Sequence, residues 1–280
     1  MRLASLSLLF LTTLAFAQTA APRLIVRGDD MGASHAINEA IIKCHREGIQ
    51  TSIEVIVPSP WFPEAVKLLA KEPSADLGVH LTLSSEWDGI KWRPLTAGPS
   101  IRDPDGYFFP MIHPNKNYPQ RSLAEQKWQI HDIEQEFRAQ IELAQKHLPQ
   151  VSHLSAHMGC TDLHDDIKSL VKRLRIEYRL DLDPAERGVK FVGYTGPHGT
   201  TTEKIDSLIK TIESLEPGKT YLFLEHPGLD TPEMRAMHHI GYDHVAVDRQ
   251  GVTEAWTSAR VRDALKANHV QLISHRDLQN

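Results

Sequence analysis

The chain has 280 residues and a formal net charge of -5, and 41% of its residues are hydrophobic. This length suits one large domain or two small ones, and barrels of this size are routinely single domains. No basic stripe that could neutralise phosphates is visible, so the composition argues against nucleic acid as the main partner.

Residues 1–17 have the pattern of a secretory signal peptide. Arg2 supplies the positive end, an apolar stretch follows, and Ala15-Phe16-Ala17 forms a small-x-small cleavage site. The apolar stretch is shorter than the ~20 residues that a membrane-spanning helix needs, and no later segment is apolar enough to cross a bilayer. We therefore predict an exported protein that begins near Gln18 and has one domain over residues 18–280.

The first half of the mature chain alternates between strand and helix patterns. Its first apolar run ends at two adjacent aspartates, Asp29 and Asp30. Successive strand residues point to opposite faces, so both carboxylates can approach one ion only if the strand end is irregular. The predicted elements are strands at 24–26, 51–58 and 76–83, helices at 37–44 and 62–69, and a long functional loop over 84–121.

The second half continues the alternation. Ser122 and Glu125 form a capping box that predicts the start of a long helix, with an apolar stripe from Ile130 to Leu148. The remaining polar clusters predict a helix cap around His164 and a solvated loop that includes His239. Further strands are predicted at 151–158, 189–194, 220–228 and 270–278.

Alternating β and α units predict a mostly parallel sheet, either open and doubly wound or closed as a barrel. Polar residues stand where four of the strands end, and in a (β/α) barrel those ends meet at one rim. We therefore predict an α/β fold with a single TIM-like (β/α) barrel that is distorted or incomplete. The residues at the four strand ends are Asp29 and Asp30, His80, His157, and Glu225 with His226.

Histidine and aspartate at strand ends suit zinc, manganese or iron. The alternative is that these are hydrogen-bonded structural histidines, since the chain has sixteen and some fall at strand ends by chance. On a helix, His153 and His157 could share one ion, but on a strand they are ~13 Å apart. The strand pattern therefore favours His157 alone.

The two cysteines do not have the dense spacing of a disulfide-stapled secreted protein. Cys44 falls on the apolar face of the first helix and is predicted to be a core residue. Cys160 follows the His157 motif closely, so it is a candidate for lining a pocket. Aromatic residues such as Trp87 and Trp92 are candidates either for packing or for stacking on sugar rings.

Several motifs in order give the chain a family resemblance. They are RGDDMGASHAIN, GVHLTL, DPDGYF, EHPG and VRDALKANHVQLISHRDL. Together they resemble the YdjC-like carbohydrate deacetylases over nearly the whole mature chain. The resemblance implies a distorted barrel that holds a single divalent ion, Mg²⁺ or Zn²⁺, with the identity left open.

Residue roles follow from the same resemblance. It implies that Asp30, His80 and His157 are the metal ligands. It also implies that Asp29 is the general base for a metal-activated water and that His226 is the acid or oxyanion stabiliser.

The chain departs from the family pattern in two motifs. The family's His-x-Asp-Ser-His-x-His here loses an aspartate at Ser155 and a final histidine at Gly159. Arg27 replaces the common asparagine before the aspartate pair. These changes leave the implied ligands in place. They bear on the polar groups that support those ligands and on the choice of substrate.

The predicted function is an exported, metal-dependent hydrolase that removes N-acetyl groups from acetylated sugars or oligosaccharides. One alternative is a barrel metallohydrolase that acts on another ester or a phosphoester, and another is a sugar-binding protein without turnover. The predicted partner is the acetylated sugar, with no nucleic acid and no membrane span. The oligomeric state is left open, with a homodimer as one option.

Overall fold

The computed structural model describes residues 20–279, so the predicted signal peptide lies outside the described residues. Strands and helices alternate along most of this part of the chain. Within residues 20–279, no helix has both the length and the apolar composition needed to cross a membrane. The strands are β1 (Arg23–Met31), β2 (Ser52–Val55), β3 (Asp76–Leu81), β4 (Val151–Ala156), β5 (Lys190–Val192), β6 (Thr220–Glu225) and β7 (Gln271–Ile273). The α-helices are α1 (His35–Glu47), α2 (Phe62–Leu69), α3 (Ile130–His147), α4 (Asp165–Glu177), α5 (Thr201–Glu213), α6 (Pro232–Arg235), α7 (Val245–Trp256) and α8 (Ala259–Ala267).

Parallel pairings join these strands into one seven-stranded sheet, in the order β4-β3-β2-β1-β6-β5. The first residues of β1 pair with β7, whereas its later residues pair with β2. The C-terminal strand therefore enters the sheet beside its central strand. The prediction of a single α/β domain with a parallel sheet is confirmed.

β4 and β5 are the two ends of this order, and no pairing joins them in the part of the chain that the structure describes. A cavity of about 500 Å³ is lined by Ser155 of β4, Phe191 of β5 and Arg27 of the central strand. Because both edge strands border the same cavity, the sheet curls towards closure. The predicted distorted barrel is therefore seven-stranded, with an open seam between β4 and β5.

Helix α1 packs against the sheet through the apolar stripe that its sequence predicts. Ile37, Ile41 and Cys44 are fully buried, and burying one isoleucine side chain contributes ~1.5–3 kcal/mol. Ser34 Oγ accepts the N–H of Ile37 at 3.1 Å at the start of the helix. The N–H of Gly48 donates to the Cys44 carbonyl at 3.0 Å at its end.

The capping box at Ser122 and Glu125 is present, but it begins only a single 3₁₀ turn. The prediction that it begins the long helix is wrong, because the backbone returns to an extended conformation after this turn and the helix begins at Ile130. The preceding long loop supplies a different contact there, since Ser100 Oγ accepts the N–H of Gln129 at 2.9 Å. Residues 84–121 contain only isolated β-bridges, which confirms the predicted long loop.

Both cysteines are buried thiols, and neither forms a disulfide. Cys44 belongs to the core as predicted. Cys160 Sγ lies 3.1 Å from the Leu81 carbonyl. It lines neither the seam cavity nor the candidate site, so the prediction that it faces a pocket is wrong.

The inner face of the sheet is polar where β2, β3 and β4 run side by side. Glu54, Gly78 and His153 occupy paired positions on these strands. Glu54 Oε1 lies 2.8 Å from His153 Nε2, and both side chains are almost completely buried. Gly78 leaves the space for this pair, because a Cβ at that position would collide with the Glu54 carboxylate.

Asp76 closes the other end of this polar interior. Its carboxylate accepts the Ser152 hydroxyl at 2.5 Å and the backbone N–H of His275 at 2.8 Å. Burial alone would raise the pKa of Asp76, but its contacts with His275, His153 and Ser152 outweigh burial and lower the pKa to about 2. An ordinary aspartate has a pKa of 3.8, so the unfolded chain takes up the proton first as the pH falls. Asp76 therefore stops stabilising the fold between about pH 4 and about pH 2.

Candidate metal and catalytic site

The two adjacent aspartates lie at the irregular end of β1. The pairing between β1 and β2 shifts register between Gly28 and Met31, and Asp30 has a φ of 74°, in the left-handed region. Such backbone strain in a non-glycine residue costs ~1–3 kcal/mol and is concentrated at functional sites. Because regular alternation is broken here, Asp29 and Asp30 are both buried and line the same cavity.

Asp30, His80 and His157 form a compact group of candidate ligands. Asp30 Oδ1 lies 3.6 Å from His80 Nε2 and 3.1 Å from His157 Nδ1. Within the described residues Asp30 Oδ1 accepts no hydrogen bond of regular geometry, and its polar contacts are with these two ring nitrogens. One carboxylate oxygen and two imidazole nitrogens therefore fit a divalent ion that keeps coordination positions free for other ligands.

Each candidate ligand is held on its far side by a second polar group. Such outer contacts fix ring orientation and tautomer, and metal sites commonly depend on them. The three contacts are Asp30 Oδ2 with Arg249 Nη2 at 2.8 Å, His157 Nε2 with Glu86 Oε2 at 3.0 Å, and His80 Nδ1 with Ser155 Oγ at 2.8 Å.

Ser155 and Gly159, which replace residues of the family pattern, have different consequences. Ser155 keeps a direct contact with His80, so this ligand retains a polar partner although the aspartate is lost. Gly159 has a φ of 67° and directly follows Met158, whose φ is 50°. It therefore belongs to the left-handed turn after His157 and brings no side chain to the site.

The pKa values of the three groups follow from their surroundings. Burial lowers the pKa of His80 to about 4, so its imidazole is neutral and has a lone pair available. Burial also lowers the pKa of His157, but the carboxylates of Glu86 and Asp30 outweigh this effect and raise it to about 10. Burial alone would raise the pKa of Asp30, but Arg249 and His157 hold it well below its usual range. A metal ion that binds here must therefore displace a proton from His157.

Asp29 lies beside the three candidate ligands and has a different partner. Arg27 donates to both of its carboxylate oxygens, from Nε to Oδ1 and from Nη2 to Oδ2, each at 2.8 Å. This bidentate contact fixes the orientation of the carboxylate and balances its charge. Asp29 Oδ2 lies 3.7 Å from His80 Nε2, so the carboxylate faces the candidate metal position without needing an ion to offset its burial.

His226 follows β6 and lines the same cavity. Its side chain is 36% exposed, so a bound ligand can reach it. Burial lowers its pKa, but the carboxylates of Asp30 and Glu225 outweigh burial and raise it. A protonated imidazole in this place suits proton donation.

The cavity that these side chains line has a volume of about 410 Å³, within the range of small-molecule sites. Trp87 is buried in its wall, stacks on His239 at a centroid distance of 5.5 Å and has the Arg249 guanidinium 5.2 Å from its ring. The predicted solvated loop is correct for His238 and His244, which are exposed, and wrong for His239, because three aromatic rings pack against it. The lining residues that the sequence did not assign to the site include Glu86, His239, Tyr242 and Arg249.

Two other histidines that were named from the sequence, His153 and His164, have contacts away from the candidate ligands. His153 lies apart from the three candidate ligands, as the strand spacing predicts, and it pairs with Glu54. His164 caps α4, since its Nδ1 accepts the N–H of Asp166 at 3.2 Å. Glu54 was not singled out, although a carboxylate within an otherwise apolar strand pattern was a usable signal. No comparable signal marks Glu86, which lies in the irregular loop.

Comparisons with known proteins agree with this architecture. Carbohydrate deacetylase 2 of Listeria innocua is 29% identical over 265 residues, which is 91% of this chain and 98% of the relative. A carbohydrate deacetylase of Thermus thermophilus is 34% identical over 235 residues, which is 76% of this chain and 80% of the relative.

A solved structure supports the fold in the same way. A crystal structure from Enterococcus faecalis, described as a candidate cellobiose-phosphate cleavage protein, superposes with a TM-score of 0.74 at 22% identity. The match covers 93% of this chain and 99% of that one. The sequence model of the family described as YdjC-like protein matches residues 23–267, from the first residue of β1 to the last residue of α8. The chain therefore belongs to the YdjC-like protein family.

Proposed function

We propose that this protein is a metal-dependent carbohydrate deacetylase that removes N-acetyl groups from acetylated sugars or oligosaccharides. The observation that carries the proposal is the convergence of Asp30 Oδ1 with two histidine nitrogens, with a second, separately anchored carboxylate next to them. The family and its relatives named as carbohydrate deacetylases support the substrate class.

In this mechanism Asp30, His80 and His157 would hold one divalent ion. Such an ion would supply a Lewis acid that polarises the acetyl carbonyl and makes water a stronger acid. Asp29 accepts the proton of the attacking water, and Arg27 keeps its carboxylate turned towards the cavity. His226, exposed to the same cavity and with a raised pKa, donates a proton to the leaving nitrogen.

The proposal is tested by acetate release. The purified protein, loaded in turn with Zn²⁺ and Mg²⁺, is incubated with N-acetylated mono- and oligosaccharides, and free acetate is measured by an enzyme-coupled assay. We expect release that stops when a chelator removes the metal. Release from O-acetylated sugars alone, or phosphate release from sugar phosphates, would favour the alternative ester or phosphoester hydrolase. Sugar binding without any product would favour the non-catalytic alternative.

We also propose that the protein is exported, on the basis of the pattern in residues 1–17. The mass of the protein recovered outside the cytoplasm is expected to correspond to a mature chain that begins near Gln18. An intact Met1 on that protein, or its retention in the cytoplasm, would contradict export by this route.

A further inference from the structure

We propose that Glu54, acting through the hydroxyl of Ser155, is a positioning residue that decides which nitrogen of His80 faces the metal position. The inference rests on the proposed metal site and concerns a side chain that lies outside the cavity. His80 Nδ1 is 2.8 Å from Ser155 Oγ, and Ser155 Oγ is hydrogen-bonded to Glu54 Oε2. All three side chains are buried, and Ser155 is the most exposed of them at 8%.

The Glu54 carboxylate determines the direction of these hydrogen bonds. An ionised carboxylate can only accept, and a serine hydroxyl has a single hydrogen to donate. Ser155 donates that hydrogen to Glu54, so its oxygen accepts from His80, and His80 must carry its proton on Nδ1. The lone pair is then on Nε2, the nitrogen that lies 3.6 Å from Asp30 Oδ1. The opposite tautomer would present an N–H to the metal position and could not bind an ion.

Glu54 remains ionised because its other partners also donate to it. Ser152 gives its hydroxyl hydrogen to Asp76, so His153 Nδ1 must donate to Ser152 Oγ at 2.8 Å. His153 Nε2 donates to Glu54 Oε1 at 2.8 Å, and an imidazole that donates from both nitrogens is a cation. Burial alone would raise the pKa of Glu54, but His153 outweighs burial and holds it well below its usual range.

The sheet register makes possible this relay of hydrogen bonds from Glu54 through Ser155 to His80. His80 and Ser155 are paired across β3 and β4, and the row below them contains Glu54, Gly78 and His153. The Glu54 side chain extends past Gly78 towards Ser155, and a Cβ at position 78 would block it. The relay therefore supplies from β2 the negative charge that Ser155 itself lacks.

A matched pair of variants separates this role from simple packing. Ser155→Thr keeps the hydroxyl, whereas Ser155→Val has the same shape without it and leaves no room for a bridging water. We expect the zinc Kd of the metal-free Ser155→Val protein, measured by isothermal titration calorimetry, to rise about 10–100-fold above that of Ser155→Thr. Ser52→Ala serves as the control, because Ser52 donates to the same carboxylate at 3.2 Å but does not contact His80. Its Kd should stay close to that of the wild type.

A spectroscopic measurement reports on the tautomer directly. In the metal-free wild type and in Ser155→Thr, the ¹⁵N chemical shifts of His80 should show a protonated Nδ1, and in Ser155→Val they should show protonation moving to Nε2. Equal zinc Kd values for Ser155→Thr and Ser155→Val, or an equal loss in Ser52→Ala, would overturn the inference alone. A wild type that binds no zinc would overturn the proposed metal site and this inference together.

Discussion

Asp29→Asn is expected to lower kcat for deacetylation by about 10²–10⁴-fold while the protein keeps its metal. An amide cannot accept the proton of the attacking water, but it has nearly the same shape and can still contact Arg27. Since the carboxylate acts mainly in the transition state, KM should change little. Steady-state kinetics on an N-acetylated sugar, together with metal analysis of the purified variant, measure both effects.

The matched control for this variant is Arg27→Gln. It breaks the same bidentate ion pair but leaves the Asp29 carboxylate in place, so we expect a smaller loss of kcat. Normal turnover by Asp29→Asn would remove this residue from the mechanism. Metal loss in Asp29→Asn as severe as that in a ligand variant would make Asp29 a second carboxylate ligand instead.

Asp30→Asn is expected to lose metal and activity together. The neutral amide is a much poorer ligand than the carboxylate, and Oδ1 is the buried oxygen that faces both histidines. The change also leaves the buried Arg249 without its ion pair, so the free energy of unfolding should fall as well. Metal content after dialysis, kcat and thermal unfolding are measured on the same preparation.

Arg249→Gln separates the two effects of Asp30→Asn. It removes the same ion pair but keeps the carboxylate that faces the two histidines. We expect this control to be destabilised and still to retain metal. If Arg249→Gln loses metal as completely as Asp30→Asn does, the ion pair and not the carboxylate ligand would account for metal retention.

The residues that the sequence predicted best are those at the ends of strands, because the direction of the strands determines where those ends lie. Parallel strands all end at one side of the sheet, so Asp30, His80 and His157 could be expected to meet before any contact was known. The irregular end of β1 was needed for both aspartates to face inwards, and the register shift at Asp30 provides it. Spacing along the predicted strand also separated His153 from His157 correctly, because strand residues four positions apart are ~13 Å apart, too far to share an ion.

Residues that come from a loop or from the side of a helix were not predictable in the same way. Glu86 reaches His157 from a segment without periodic structure, and Arg249 reaches Asp30 from α7. Their directions depend on how distant segments pack, which no local pattern encodes. The capping box at Ser122 shows the same limit on a smaller scale. It marked a real turn, but whether the helix continued beyond the turn depended on contacts with the preceding loop.

The position of β7 has a consequence for how the chain reaches this fold. The central strand, β1, pairs with β6 and β7, which are synthesised long after it, since Arg23 pairs with Thr220 and Gln271. Contacts between residues so far apart in sequence carry a large loop-closure cost and slow folding. The nascent chain therefore cannot complete the centre of its sheet until β7 has been made, and the candidate site can assemble only after β6 and α7 have brought in His226 and Arg249.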